Sequence, residues 1–185
     1  MRGANFYSLE PFFDMIDGVE SLLPLRVRNY LEIGVNKALS LRWVLRRYPD
    51  IERVVLCDNW SYGTSSRKFV EGVITSESFP LDRVTFLEGK SVKQMPKFFE
   101  ENPGMFFDVA YIDGDHKPQV LRADLQIVDT HARIIIVHDI RFRKLRPVMD
   151  KFFQNHRGRF WKLVTETDKW GMVVLIDSTR LEGST

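Results

Sequence analysis

Short runs of β-branched and aromatic residues alternate along the chain with longer stretches in which apolar residues recur every three or four positions. The runs NYLEI (29–33), RVVLC (53–57), RVTFL (83–87), FDVAYI (107–112) and RIIIV (133–137) have the length and composition of strands. Helical spacing falls between them at Leu41, Val44, Leu45 and Tyr48, at Phe69, Val73 and Ile74, at Val92, Met95, Phe98 and Phe99, and at Val120, Leu121, Leu125 and Val128. Pro96 counts against the third of these helices. A fifth helix is predicted from Pro147, with Val148, Phe152 and Phe153 inward and Gly158 as its stop. FWKLVT (160–165) and MVVLI (172–176) are joined by a turn too short for a crossover helix, so they must pair antiparallel. Upstream, Leu9–Ile16 and an apolar turn at Val19–Leu23, closed by Pro24, predict a helical cap over 1–28.

Apolar strands alternating with amphipathic helices imply an α/β fold. The expectation is a doubly wound, Rossmann-like, mostly parallel seven-stranded sheet with a C-terminal antiparallel hairpin, forming one domain over 1–185. Ligands of such sheets bind beyond the carboxyl ends of the strands, where strand order reverses. That rule gathers the polar residues ending the runs into one candidate site: Glu32 and Gly34, Asp58, Glu88, Gly89, Lys90 and Ser91, Asp113 to His116, and His138 with Asp139.

Composition narrows the picture. With 27 Lys and Arg against 25 Asp and Glu, the net charge of +2 gives no global case for nucleic acid or an anionic membrane. No run approaches the roughly 18 apolar residues that span a bilayer, and the N-terminus has no continuous apolar core, so the expected location is the cytoplasm. The single cysteine, Cys57 in VVLCD, reads as a buried strand thiol and not a nucleophile. The loop GVNKALS after the first strand holds one glycine, where a dinucleotide fingerprint needs three. A glycine there still allows close backbone approach to a ligand, and Asp58 at the end of strand two is placed to accept from ribose hydroxyls.

LEIGVNKALS, VVLCDNW, FDVAYIDGDH, IIIVHDI and the hairpin ending in GMVVLI, in that order, resemble a class I S-adenosylmethionine-dependent methyltransferase of the small, metal-assisted O-methyltransferase type that acts on sugars and natural products. The resemblance runs from Asn29 to Ile176. It implies that Glu32 and Gly34 flank the methionine part of S-adenosylmethionine, that Asp58 holds its ribose, and that Glu88, Gly89, Lys90 and Ser91 lie beside its adenine. It also implies a metal, Mg²⁺ or Mn²⁺, held by Asp113, His138 and Asp139, with His116 as general base. An imidazole among the ligands moves preference from Mg²⁺ toward Mn²⁺, or His138 stands behind the ligands instead. The chain departs from the family at Ala38, where a second glycine is usual, and at Ala132-Arg133, where a glycine pair is frequent.

Each of these residues also has a plainer role. Asp113, Gly114 and Asp115 are turn residues, and His116 could cap the next helix. The pairing with His138-Asp139 at the end of the following strand favours a site. The implied activity is methyl transfer to a hydroxyl of a small molecule, with Asp113 and His116 as its catalytic residues. Two alternatives stay open: a catalytically degenerate nucleoside-binding module, and a metal-dependent enzyme of the same fold with a different reaction. Arg141, Arg143, Lys144 and Arg146, directly after Asp139, suggest an anionic acceptor. Nucleic acid is disfavoured as a substrate, and a homodimer would form through the edge of the hairpin or the N-terminal segment.

Overall fold

The computed structural model describes residues 18, 26–61, 66–165 and 171–180. The helices expected at Leu9–Ile16 and Val19–Leu23 lie outside the described residues. Seven strands form one sheet: β1 (Asn29–Ile33), β2 (Arg53–Asp58), β3 (Val84–Glu88), β4 (Phe107–Ile112), β5 (Ala132–His138), β6 (Phe160–Thr165) and β7 (Met172–Asp177). Their order is β3-β2-β1-β4-β5-β7-β6. The first five are parallel, and β7 runs antiparallel to both β5 and β6. Strand order reverses between β1 and β4, so the expected crevice opens at their carboxyl ends.

Helices α1 (Leu39–Arg47) and α2 (Arg67–Ser76) cover one face. Helices α3 (Ser91–Glu101), α4 (Pro118–Val128) and α5 (Arg146–Asn155) cover the other. Two apolar cores result. Tyr30, Val54, Leu56, Tyr111, Ile134 and Ile136 point toward α1 and α2. Leu31, Ile33, Val55, Cys57, Ala110, Ile112, Ile135 and Val137 point toward α3 to α5. The period of two along each strand decides which side receives the chemistry. Continuing the alternation, Glu32, Asp58, Asp113 and His138 all fall on the α1/α2 side.

Two helices differ in detail from the apolar pattern. In α2 the Ser66 hydroxyl accepts from Phe69 N–H at 3.2 Å and starts the helix at Arg67. The inward stripe is then Val70, Val73 and Ile74, and Phe69 stays 47% exposed. In α3 the stripe is Ser91, Met95, Phe98 and Phe99, with Val92 outside. Pro96 is accommodated because the carbonyl it frees belongs to Val92, on the solvent side with Pro96 itself.

The loop after β1 is held on both sides. Gly34 N–H donates to the Cys57 carbonyl at 2.9 Å, and Asp113 N–H donates to the Ile33 carbonyl at 2.8 Å. Gly34 has φ 88°, and a Cβ built there would collide with the carbonyl of Asp113. Residue 34 must therefore lack a side chain both for its backbone angle and for the approach of the two loops. At Ala38 φ is 53° and the residue is fully buried, so its methyl joins the core that includes Leu41. Gly34→Ala is expected to cost at least about 3 kcal/mol of unfolding free energy in urea titrations, because backbone strain and a main-chain clash add. A loss under about 1 kcal/mol would contradict the packing described.

Candidate active site

The site is built from the tips of β1, β2, β4 and β5. Asp58, at the end of β2, binds the loop after β1: its Oδ2 accepts from Val35 N–H at 2.7 Å and Asn36 N–H at 3.1 Å, and its Oδ1 accepts from Trp60 N–H at 2.8 Å. A carboxylate offers about four lone-pair positions. Three go to the main chain, which leaves one on Oδ1 for a ligand hydroxyl.

Glu32 lies deeper and is fully buried. The Tyr30 hydroxyl donates to Oε2 at 2.9 Å, and Ser40 Oγ stands 2.5 Å from Oε1. Burial pushes its carboxyl up to about 8, against the pull of these two hydroxyls. The structure thus places Glu32 beneath the loop after β1, with both oxygens on protein partners and no exposed face.

Across the crevice, the tips of β4 and β5 form a chain of alternating carboxylates and imidazoles. His138 Nδ1 is 3.3 Å from Asp113 Oδ1 and 3.3 Å from Asp139 Oδ1. His116 Nε2 approaches Asp139 Oδ2 at 2.5 Å, off the hydrogen-bonding direction of the ring. The Tyr111 hydroxyl donates to Asp113 Oδ2 at 3.4 Å. Burial opposes a charge on His138, but the two carboxylates win and raise it to about 10. Burial likewise works against charge on Asp139, yet the imidazoles hold it well below the usual carboxylate range. Asp113, more enclosed, is raised by burial, with His138 opposing. His116 is raised by the Asp139 carboxylate.

Asp113, His116 and Asp139 each direct one donor atom into a common space, and these atoms lie within 4.8 Å of one another. The sequence expectation had His138 either as the third ligand or standing behind the ligands. In the structure His138 contacts the Oδ1 atoms of both carboxylates, and His116 supplies the third convergent donor. Phe142 stacks on the His116 ring at 4.9 Å with 21° between planes, which fixes the imidazole from the loop after β5. Asp139 has φ 62°, a left-handed backbone that Asp tolerates better than most residues. Asp115 turns outward to Lys117 at 2.7 Å and is turn chemistry.

At the carboxyl end of β3, beside the tip of β2, lies the turn Glu88–Ser91. Gly89 N–H donates to the Asp58 carbonyl at 2.9 Å, so this turn is attached to the tip of β2. Asp124 on α4, absent from the sequence expectations, is 1% exposed, and burial raises its carboxyl to about 6. The signal was present: Asp124 occupies the apolar stripe of Leu121, Leu125 and Val128, where a carboxylate is costly.

This sheet order, with its antiparallel seventh strand and acid-tipped parallel strands, is the class I methyltransferase fold. The chain belongs to the family described as "Methyltransferase domain", whose model matches residues 31–140. Solved structures agree in fold. An O-methyltransferase from Bacillus cereus in complex with SAH is 18% identical, with a TM-score of 0.68 over 93% of this chain and 84% of that one. TomG, an O-methyltransferase from Streptomyces achromogenes in complex with SAM, is 18% identical, with a TM-score of 0.67 over 90% and 79%. CalS11, a TDP-rhamnose 3′-O-methyltransferase of calicheamicin biosynthesis, is 15% identical, with a TM-score of 0.70 over 93% and 81%. No curated protein sequence matches the chain. Among the described residues no helix is long and apolar enough to cross a membrane.

The protonation of Glu32 gives a pH signature. Between about pH 4.5 and 8 the folded chain holds a proton that the unfolded chain has released, so this residue lowers stability as pH rises through that window. Glu32→Gln keeps both hydrogen bonds and removes the dependence. Urea unfolding at pH 5 and pH 8 should show the variant losing less stability than wild type, by about 1 kcal/mol or more. Equal losses would mean that Glu32 is ionised in the fold.

Proposed function

We propose that the chain transfers the methyl group of S-adenosylmethionine to a hydroxyl oxygen of a small molecule, with Asp113, His116 and Asp139 holding a divalent cation. The observation that carries this reading is the contact between Gly34 and Asp113, which sets the loop after β1 against the three convergent donors. A sulfonium over that loop and a hydroxyl at the donors are then within reach of each other. The S–CH₃ bond breaks as the O–CH₃ bond forms, S-adenosylhomocysteine leaves, and the hydroxyl proton is released. Alignment and removal of that proton are most of what the reaction needs.

The donor set fits a cation. Two carboxylate oxygens and an imidazole nitrogen suit Mn²⁺ or a neighbouring first-row ion better than Mg²⁺. Such an ion, when bound, supplies the Lewis acidity that lowers the pKa of an acceptor hydroxyl. His138 steadies both carboxylates from behind, and Phe142 holds the His116 ring. In a second reading, favoured by the close approach of His116 Nε2 to Asp139 Oδ2, His116 is the general base and Asp139 its orienting partner.

On the nucleoside side, the remaining position on Asp58 accepts from the ribose, and the turn Glu88–Ser91 borders the base. The acceptor is a sugar or natural product, a reading supported by the activities of CalS11 and TomG. Arg143 and Lys144, exposed after Asp139 and without an acidic partner among the described residues, support an anionic one.

Calorimetry tests the proposal. S-adenosylhomocysteine should bind wild type with or without metal. Mn²⁺ alone should bind wild type and lose at least about tenfold in affinity in Asp139→Asn and His116→Ala. Failure of S-adenosylhomocysteine to bind would overturn the proposal. Absence of Mn²⁺ binding, with transfer activity insensitive to chelator but abolished in His116→Ala, would select the second reading.

A further inference from the structure

We propose that Tyr111 is a positioning residue for the cation, its buried hydroxyl holding the Asp113 carboxylate in the orientation that presents it alongside His116 and Asp139. The inference deepens the reading above, that Asp113, His116 and Asp139 hold a divalent ion, and rests on it.

On each of the two strands that meet at the crevice, a tyrosine stands two residues before the acid at the tip. Tyr30 precedes Glu32 on β1, and Tyr111 precedes Asp113, just past the end of β4. A separation of two puts both side chains on one face, so each phenol reaches forward along its own strand. On β1 the hydroxyl donates to Glu32 Oε2 at 2.9 Å, and on β4 it donates to Asp113 Oδ2 at 3.4 Å. Aspartate is one methylene shorter than glutamate, which fits the wider gap.

The Tyr111 ring has no room to turn aside. It is 2% exposed, and its strand neighbours are Glu32 on β1 and Ile136 on β5. A buried phenol needs an acceptor, and phenylalanine would fill the same core without that requirement. At neutral pH a phenol keeps its proton, so Tyr111 donates and Asp113 accepts. The two tyrosine-acid pairs differ in what lies beyond the acid. Glu32 has Ser40 against its other oxygen and lies outside the donor cluster. Asp113 has His138 Nδ1 at 3.3 Å from its other oxygen, and it directs a donor atom into the space shared with His116 and Asp139.

The Asp113 carboxylate is therefore held at both ends, Oδ1 by His138 and Oδ2 by Tyr111. That fixes its rotation about the Cβ–Cγ bond before any ion arrives. Each oxygen offers about two lone pairs, so a position for a cation remains beside the hydrogen bond. Without the hydroxyl, Asp113 would be held at Oδ1 alone, and binding an ion would also require ordering the carboxylate. Tyr111 does not touch the ion in this account. It acts through Asp113.

Tyr111→Phe removes the hydroxyl and keeps the ring. Tyr30→Phe makes the same change on the neighbouring strand, behind an acid that is not among the donors. Calorimetric titration with Mn²⁺ should show the dissociation constant rising about tenfold in Tyr111→Phe and changing less than about twofold in Tyr30→Phe. The electron paramagnetic resonance signal of bound Mn²⁺ should broaden in Tyr111→Phe alone, because a carboxylate free to rock meets the ion in more than one geometry. Circular dichroism and thermal melting confirm that each variant is folded. An affinity in Tyr111→Phe within about twofold of wild type overturns the inference alone. An equal loss in the two variants also overturns it, since the effect would then belong to the buried tyrosines generally and not to Asp113. A wild type that binds no Mn²⁺ overturns the cation reading and this inference with it.

Discussion

The loop after β1 can lie against the loop after β4 only because residue 34 has no side chain. That contact brings the two halves of the doubly wound sheet to one working edge. Asp58 reinforces it by accepting Val35 and Asn36 N–H groups, which shapes the loop from β2, while Asp113 N–H bonds Ile33 from β4. The tip of β2 and the donor cluster thus share one short segment of backbone. A displacement of that segment moves both, which is why Gly34 matters more here than its lack of chemistry suggests.

Charge at this edge is arranged so that it can be buried. Carboxylates and imidazoles alternate through Asp113, His138, Asp139 and His116, and each carboxylate has an imidazole within 3.3 Å. Such a set stabilises itself where a lone carboxylate would protonate. Glu32, without a cation, shows the contrast: its carboxyl is raised to about 8, and it serves as a neutral anchor for Tyr30 and Ser40. Two acids at adjacent strand tips therefore do opposite jobs, one as part of a charged cluster and the other as an uncharged spacer under the loop.

Much of this was legible in the chain. Every strand followed from its apolar run, because runs buried on both faces leave little ambiguity, and the short turn before β7 dictated its reversal. The strand tips were legible for the same reason: Asp58, Asp113, His138 and Asp139 end abruptly what their strands begin. Helix faces were less so. Phe69 is as apolar as Val70, and only the start set by Ser66 decides which turns inward. The placement of the two imidazoles was half legible: His138 behind the carboxylates was one of two readings left open, whereas His116 among the convergent donors depends on how the turn after β4 folds back. Asp124 was readable in principle as a carboxylate on the apolar stripe of Leu121, Leu125 and Val128.

The account stands most directly on where a metal and a nucleoside sit. Anomalous diffraction from crystals grown with Mn²⁺ and S-adenosylhomocysteine would show it. The prediction is a Mn²⁺ peak at ligand distance from Asp113, His116 and Asp139, with the thioether sulfur over the Gly34 loop and the base at Ser91. A nucleoside bound elsewhere on the fold, or a Mn²⁺ peak away from these three residues, would contradict it.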